Sequence, residues 1–190
     1  MTLQKEPDLS NFPIVRRCIR DIMETGKPVA DTKFTRLLLK NFKVEELYGK
    51  SIKDKRGGKN KIHSWDLQSK GPTSKAERML LNQILTERRK KKWAELYGIE
   101  WMDGMPLTEK QIKTFYDNPE LHTMLKDLNK KGYLTYEYPR KLEEGRRIQD
   151  ETKKKGYNIV AGKLSFEFSK ILDPTELAPT LVAMDVSKLG

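Results

Sequence analysis

Residues 107–140 read LTEKQIKTFYDNPELHTMLKDLNKKGYLTYEYPR, and the order of signals along them decides the fold. Thr108-Glu109-Lys110-Gln111 is a capping box, in which the Thr hydroxyl and the Gln side chain each take up a backbone N–H that a helix start leaves open. Leu107 and Ile112 stand where a hydrophobic staple needs them, so a short helix is expected to about Tyr116. Asn118-Pro119 supplies a cap and a first-turn proline for the next helix. Along it Leu121, Met124, Leu125 and Leu128 recur at three- and four-residue steps, and Gly132 ends it. The period then changes to two. Leu134, Tyr136 and Tyr138 alternate with Thr135 and Glu137, which is a strand.

Outward from this stretch, Leu164, Phe166 and Phe168 alternate with Ser165 and Glu167 and predict a second strand able to pair with the first. Upstream, Ser74-Lys75-Ala76-Glu77 is another capping box. It opens a helix that buries Leu80, Leu81, Ile84 and Leu85, runs to Tyr97 and stops at Gly98. Helix, short helix, helix, then two strands around a basic loop is the order of a winged helix-turn-helix. The third helix turns Leu121, Leu125 and Leu128 inward, which leaves His122, Thr123 and Lys126 outward. Such a helix fits a major groove about 12 Å wide, with a basic wing along the phosphates. The wing stretch, 140–155, carries Arg140, Lys141, Arg146, Arg147 and Lys153–Lys155, diluted by four acids.

Toward the N-terminus, Val15, Cys18, Ile19 and Ile22 follow Pro13 at helical spacing, and Gly26-Lys27-Pro28 breaks the run. Asp31 stands as a cap before Phe34, Leu37 and Leu38 in a second short helix. Residues 49–72 are punctuated by glycines but hold Ile62, Trp65 and Leu67 as apolar anchors, an ordered loop with room for a short strand. The expected fold class is therefore α+β: mainly helical, a winged-helix-like domain with a small antiparallel sheet, plus an N-terminal helical hairpin. Its parts are a hairpin at 1–48, a basic glycine-containing loop at 49–72, the winged-helix-like domain at 73–170 and a tail at 171–190.

The chain has 190 residues, with 38 Lys+Arg against 27 Asp+Glu, a formal charge of +11 and a sequence pI near 9.6. A surplus of that size fits a polyanion partner. It is concentrated in KSIKDKRGGKNKIH (50–63), where Lys50, Lys53, Lys55, Arg56, Lys59 and Lys61 are opposed only by Asp54. Arg88-Arg89-Lys90-Lys91-Lys92 falls late in a helix and is read as a solvated complement to the helix dipole. One cysteine, Cys18, excludes an internal disulfide and a multi-cysteine metal site, and reads as a small core residue. No apolar run reaches the roughly 18 residues of a membrane span, and the first residues lack a secretory signal. A cytoplasmic, reduced setting is expected, with no metal and no membrane partner. Phosphate-loop and dinucleotide glycine motifs are absent, as are zinc-hydrolase patterns. His63, Ser64 and Asp66 lie too close along one irregular loop for a triad. The 190 residues offer no catalytic centre of their own.

The tail carries a resemblance. Ala178-Pro179-Thr180-Leu181-Val182-Ala183 resembles the ninth conserved motif of DNA cytosine-5 methyltransferases, a Ser/Ala-Pro-Thr-Leu-Thr-Ala run that follows the target recognition domain, with Val182 in place of the frequent Thr. KDKRGGKNKIHSWDL (53–67), ERRKKKWAELYGIEWMDGMPLTEKQI (87–112) and LNKKGYLTYEYP (128–139) are similar to the recognition region of a subset of these restriction-modification enzymes. The resemblance implies S-adenosylmethionine as cofactor of a parent enzyme and a cysteine nucleophile in a Pro-Cys-Gln motif. Neither is expected in this chain: the Rossmann-like domain that binds the cofactor in the family is not in this sequence, and Cys18 follows Arg17 rather than a proline. It implies a target recognition domain, excised or one piece of a split enzyme, whose partners are double-stranded DNA and a catalytic domain. On charge and local structure, the candidate DNA contacts are a loop of Lys53, Lys55, Arg56, Gly57, Gly58, Lys59, Lys61 and His63. To these are added the helix residues His122, Thr123 and Lys126, and Arg146 and Arg147 on the wing. Two alternatives stand beside this reading: a self-contained winged-helix transcriptional regulator, and an interaction module docking through the hairpin at 12–42.

Overall fold

The computed structural model describes residues 17–54, 57–99, 104–161 and 169–177, and their apolar side chains divide between two cores. In chain order the elements are α1 (Lys33–Asn41), α2 (Val44–Leu47), β1 (Ser51–Ile52), β2 (Lys61–Ile62), α3 (Lys75–Glu87), α4 (Lys91–Glu95), α5 (Glu109–Lys113), α6 (Leu121–Lys131), β3 (Leu134–Glu137), β4 (Arg140–Glu143), β5 (Arg146–Gln149) and β6 (Gly156–Ile159). The class is α+β, helices with small two-stranded sheets.

The larger core gathers around α3, whose Leu80, Leu81, Ile84 and Leu85 are fully buried. Its capping box forms as expected: Ser74 Oγ accepts from Glu77 N–H at 3.1 Å and Glu77 Oε2 from Ser74 N–H at 2.7 Å. The helix does not continue to Tyr97. It ends at Glu87 because Arg88 turns inward, where its Nη1 donates to Asn158 Oδ1 at 2.7 Å. Arg88 therefore leaves the expected solvated cluster and is 2% exposed. The chain restarts as α4, which returns Trp93 and Ala94 to the same core, and Gly98 at φ +61° stops it.

α5 starts on the Thr108–Gln111 box. Asn118 Oδ1 accepts from Glu120 N–H at 2.8 Å, so α6 begins at Leu121, two residues beyond the proline. Gly132, left-handed at φ +81°, ends α6 and feeds β3 directly. β3 pairs antiparallel with β6, Leu134 opposite Ile159 and Tyr136 opposite Tyr157. The partner expected for β3, residues 164–168, lies outside the described residues. β6 gave no alternating signal because all four of its residues are buried. Its other edge bonds to Leu107, with N···O distances of 2.9 and 2.8 Å to and from Tyr157. Between β3 and β6 the β4–β5 ribbon turns on Glu144 and Gly145, both at positive φ, the two-residue geometry that matches strand twist.

The smaller core joins Phe34, Leu38, Leu47, Ile52, Ile62 and Leu67, with Phe42 and Ile171 against it. It draws on the hairpin, the glycine loop and the tail alike. β1 and β2 pair in parallel, and residues 169–171 line the far edge of β1 through Ile52 N–H to Ser169 O and Ile171 N–H to Lys50 O, both 2.9 Å. The helix expected over 12–25 is absent from its described part, 17–25, which holds one 3-10 turn, Ile19–Asp21. The N–H groups of Ile19 and Arg20 donate to Glu176 O and Pro174 O instead, at 3.0 and 2.8 Å. Cys18 is consequently half-buried beside the tail rather than in either core.

One short loop fastens the cores together. Trp65 enters the larger core and Leu67 the smaller. Trp65 Nε1 donates to Asn82 Oδ1 at 3.1 Å. The buried Tyr133 hydroxyl accepts from Lys70 N–H at 3.0 Å and donates to Gly71 O at 2.7 Å. Lys70 Nζ donates to Gly132 O at 2.7 Å, at the end of α6.

Candidate nucleic-acid interface

α6 has an apolar face, Leu121, Met124, Leu125 and Leu128, buried in the larger core, and its position follows from that face. The opposite face exposes His122, Thr123 and Lys126, as the spacing predicts. His122 stands in the first turn, its Nδ1 2.8 Å from Glu109 Oε2 at the start of α5. Both side chains line an open groove with Tyr136, Tyr138 and Lys153–Lys155. Tyr136 is half exposed and packs its ring at 4.9 Å, tilted, on that of Tyr157. Lys155 Nζ lies 4.6 Å above the Tyr138 ring, a cation–π contact. The Tyr157 hydroxyl is pushed above its ordinary pKa by burial first and by the nearby Glu109 carboxylate second, so it is held protonated as a donor.

The tyrosines are functional candidates that the sequence reading left as strand pattern. Alternation marks Tyr136 and Tyr138 as sharing one side of β3, but not that this side runs out of the core into a lysine-lined groove. Lys153–Lys155 were visible only as charge in a mixed stretch.

The β4–β5 ribbon exposes Arg146 and Arg147. Being adjacent in one strand they point to opposite faces: Arg146 is cross-strand from Glu143, Arg147 from Leu142. One surface laid against one side of the ribbon meets one of them face-on.

The glycine loop is in a different place. Gly57 and Gly58 lie beside the last turn of α3, where a Cβ on Gly57 would stand 3.7 Å from Thr86 Oγ1 and 3.8 Å from Leu85 Cδ2. Lys53 and Lys59 are exposed and Lys61 half-buried, while Lys55 and Arg56 lie outside the described residues. His63 is not on this surface. It is 4% exposed, its ring stacked on Trp65 with centroids 4.6 Å apart, its Nδ1 2.5 Å from Lys53 O and its N–H donated to Asp66 Oδ2 at 2.8 Å. Asp54 Oδ1 accepts from Ser64 N–H at 2.7 Å. His63 and Asp54 thus anchor the loop from within, and burial raises the Asp66 carboxyl above its usual range. The structure brings α6, the tyrosines and Lys153–Lys155 together and sets the glycine loop on the flank of α3. Among the described residues no group of His, Cys, Asp and Glu could hold a metal ion, and no helix is long and apolar enough to cross a membrane. The tail element Ala178–Ala183 lies outside the described residues.

No family model matches the chain, and no solved structure matches it significantly. Its homologues are Type II methyltransferases. Type II methyltransferase M.NlaIV of Neisseria lactamica is 55% identical over 188 residues, 99% of this chain and 44% of that protein. M.NgoBV of Neisseria gonorrhoeae is 53% identical with the same coverage. M.BanI of Aneurinibacillus aneurinilyticus is 37% identical over 193 residues, 98% of this chain and 40% of the relative. The chain is thus similar over nearly its whole length to Type II methyltransferases, and it spans less than half of each of these three.

Proposed function

We propose that this chain is the DNA-recognition portion of a Type II DNA cytosine-5 methyltransferase, a winged-helix module that grips the duplex and contributes no nucleophile. The observation that carries the reading is the outward face of α6, flanked by a lysine- and tyrosine-lined groove on one body with a basic ribbon. Apart from α4, which is inserted between α3 and Leu107, the order α3, Leu107 edge, α5, α6, β3, ribbon, β6 resembles that of winged helices, in which the second helix of the pair enters the major groove. His122, Thr123 and Lys126 then face base edges, while Lys153–Lys155 and one arginine of the ribbon take phosphates. Lys53, Lys59 and Lys61 on the glycine loop form a second, separate contact on the same body. S-adenosylmethionine and the attacking cysteine belong to the catalytic domain of the parent enzyme, into which the target cytosine is swung. The setting is cytoplasmic.

Fluorescence anisotropy of labelled duplexes with the 190-residue chain, titrated between about 50 and 200 mM salt, tests the reading. Four phosphate contacts, by Lys153, Lys154, Lys155 and one ribbon arginine, give a slope of log K against log salt of about −3.6, and the glycine-loop lysines steepen it further. Binding that is absent on every duplex, or that ignores salt, refutes it.

A further inference from the structure

We propose, on top of the DNA-recognition reading, that Glu109 is a positioning residue that fixes His122 to read an exocyclic amino group in the major groove. Glu109 Oε2 lies 2.8 Å from His122 Nδ1. An ionised carboxylate only accepts hydrogen bonds, so Nδ1 carries the hydrogen of the pair. In the neutral ring this leaves Nε2 as a bare acceptor on the side away from Glu109. His122 is the second residue of α6, and the N-terminal residues of a recognition helix are those that reach base edges. In the major groove, hydrogen-bond donors occur only as the amino groups on adenine N6 and cytosine N4, while guanine and thymine offer acceptors. An acceptor held at that place therefore selects an amino-bearing base.

The composition of the groove supports a dedicated role for Glu109. Lysines and tyrosines supply donors for phosphate oxygens, and of the two carboxylates that line the groove with them, Glu109 and Glu151, Glu109 is engaged by His122. Glu109 is not required to cap α5. Thr108 Oγ1 accepts from Gln111 N–H at 3.3 Å and Gln111 Oε1 from Thr108 N–H at 2.8 Å, which closes the capping box without it. Glu109 is paired with His122, and both side chains remain about half exposed, at 43% and 57%, so the pair is open to a ligand.

Selection from a randomised duplex pool with the wild-type chain, His122→Ala and Glu109→Ala tests this, with circular dichroism to show that each variant folds. Both variants should relax the preference at the same single base pair. Affinity for the wild-type site should fall roughly 2- to 13-fold in His122→Ala, the range of one neutral hydrogen bond, and less in Glu109→Ala. The double variant should be no worse than His122→Ala, because the two act as one unit. Replacing the base at that position with an analogue lacking its amino group should weaken the wild type by a similar factor and leave His122→Ala unmoved. A uniform loss across sequences with the salt slope reduced by about 1 marks a phosphate contact and overturns the proposal. So do variants that keep the wild-type profile, and wild-type binding that shows no sequence preference, although the grip on DNA then stands. No binding to any duplex sinks the recognition reading as well.

Discussion

Gly156→Ala tests the placement of β6, on which the groove depends. Gly156 opens β6 opposite Glu137, with the backbone of Leu107 against its other side. A Cβ there would stand 2.5 Å from the carbonyl carbon of Leu107 and 2.7 Å from both its nitrogen and its oxygen. All three atoms are main chain, so no rotamer change relieves the clash. To admit the methyl group, Leu107 must withdraw from β6, which breaks its two hydrogen bonds to Tyr157 at 2.8 and 2.9 Å. Each is worth about 0.5–1.5 kcal/mol net, and overpacking adds about 1–3 kcal/mol. The smaller conformational freedom of alanine in the unfolded chain returns only about 0.4–1 kcal/mol. The expected cost is about 2–4 kcal/mol, or about 2–4 °C of Tm for each kcal/mol at this chain length. Urea unfolding followed by the fluorescence of Trp65 and Trp93, both buried in the larger core, measures it. Gly145→Ala is the control: Gly145 sits at φ +74° with open space around it, so only the left-handed penalty of about 1–2 kcal/mol applies. A Gly156→Ala protein within 0.5 kcal/mol of wild type, or no worse than Gly145→Ala, would refute the close approach of Leu107 (the threshold being about the scatter of surface substitutions).

Tyr133→Phe removes the oxygen that ties Lys70 N–H and Gly71 O to the larger core. The cost should be about 1–3 kcal/mol in urea unfolding, because both partners lose a buried mate, with faster amide exchange along 69–71. An unchanged midpoint would show that the two cores do not depend on this latch. Asp127 is held below its ordinary carboxyl pKa of 3.8, first by the hydrogen bond from Lys131 and further by the charges of Lys131 and Lys130, against some desolvation. A depressed acid stabilises the fold above its unfolded pKa and ceases to as pH falls through its folded value. Asp127→Asn should therefore cost a few tenths to about 1 kcal/mol near neutrality, as exposed pairs do, and nothing once the pH is well below 3.8. A pH-independent difference in stability between the two proteins would contradict the ion pair.

The elements most legible in sequence were those with local signatures. Three capping boxes, at Thr32, Ser74 and Thr108, close in the structure, two of them read beforehand from Ser74-x-x-Glu77 and Thr108-x-x-Gln111. The outward residues of α6 followed from its three- and four-residue steps. What escaped was decided by distant partners. Arg88 is written among four other cations, and its bond to Asn158, seventy residues on, is invisible in the sequence. β6 is silent to a period-two search because β3 and Leu107 cover both edges and all its residues are buried. Ile19 and Arg20 gave their N–H groups to carbonyls of the tail, a choice that helical spacing cannot anticipate. His63 read as part of a basic surface, yet its ring stacks on Trp65 inside the joint between the cores.

That last placement changes how the positive charge is organised for a duplex. The glycine loop and the α6 groove look like two independent basic features in sequence, but His63, Trp65, Lys70 and Tyr133 connect them through buried contacts. Lys53 O is held by the His63 ring, Trp65 is bonded to Asn82 of α3, and Lys70 is bonded to the Gly132 carbonyl at the end of α6. The described part of the loop backbone therefore has a set position relative to α6, so under the proposed DNA contact this backbone need not be ordered anew on binding, which would remove part of the entropy cost. The ribbon adds charge on another basis, since Arg146 and Arg147 diverge and only one can face a given phosphate row. Under the proposed DNA reading, recognition would rest on a fixed helix with a buttressed histidine, and affinity on cations held by two different cores.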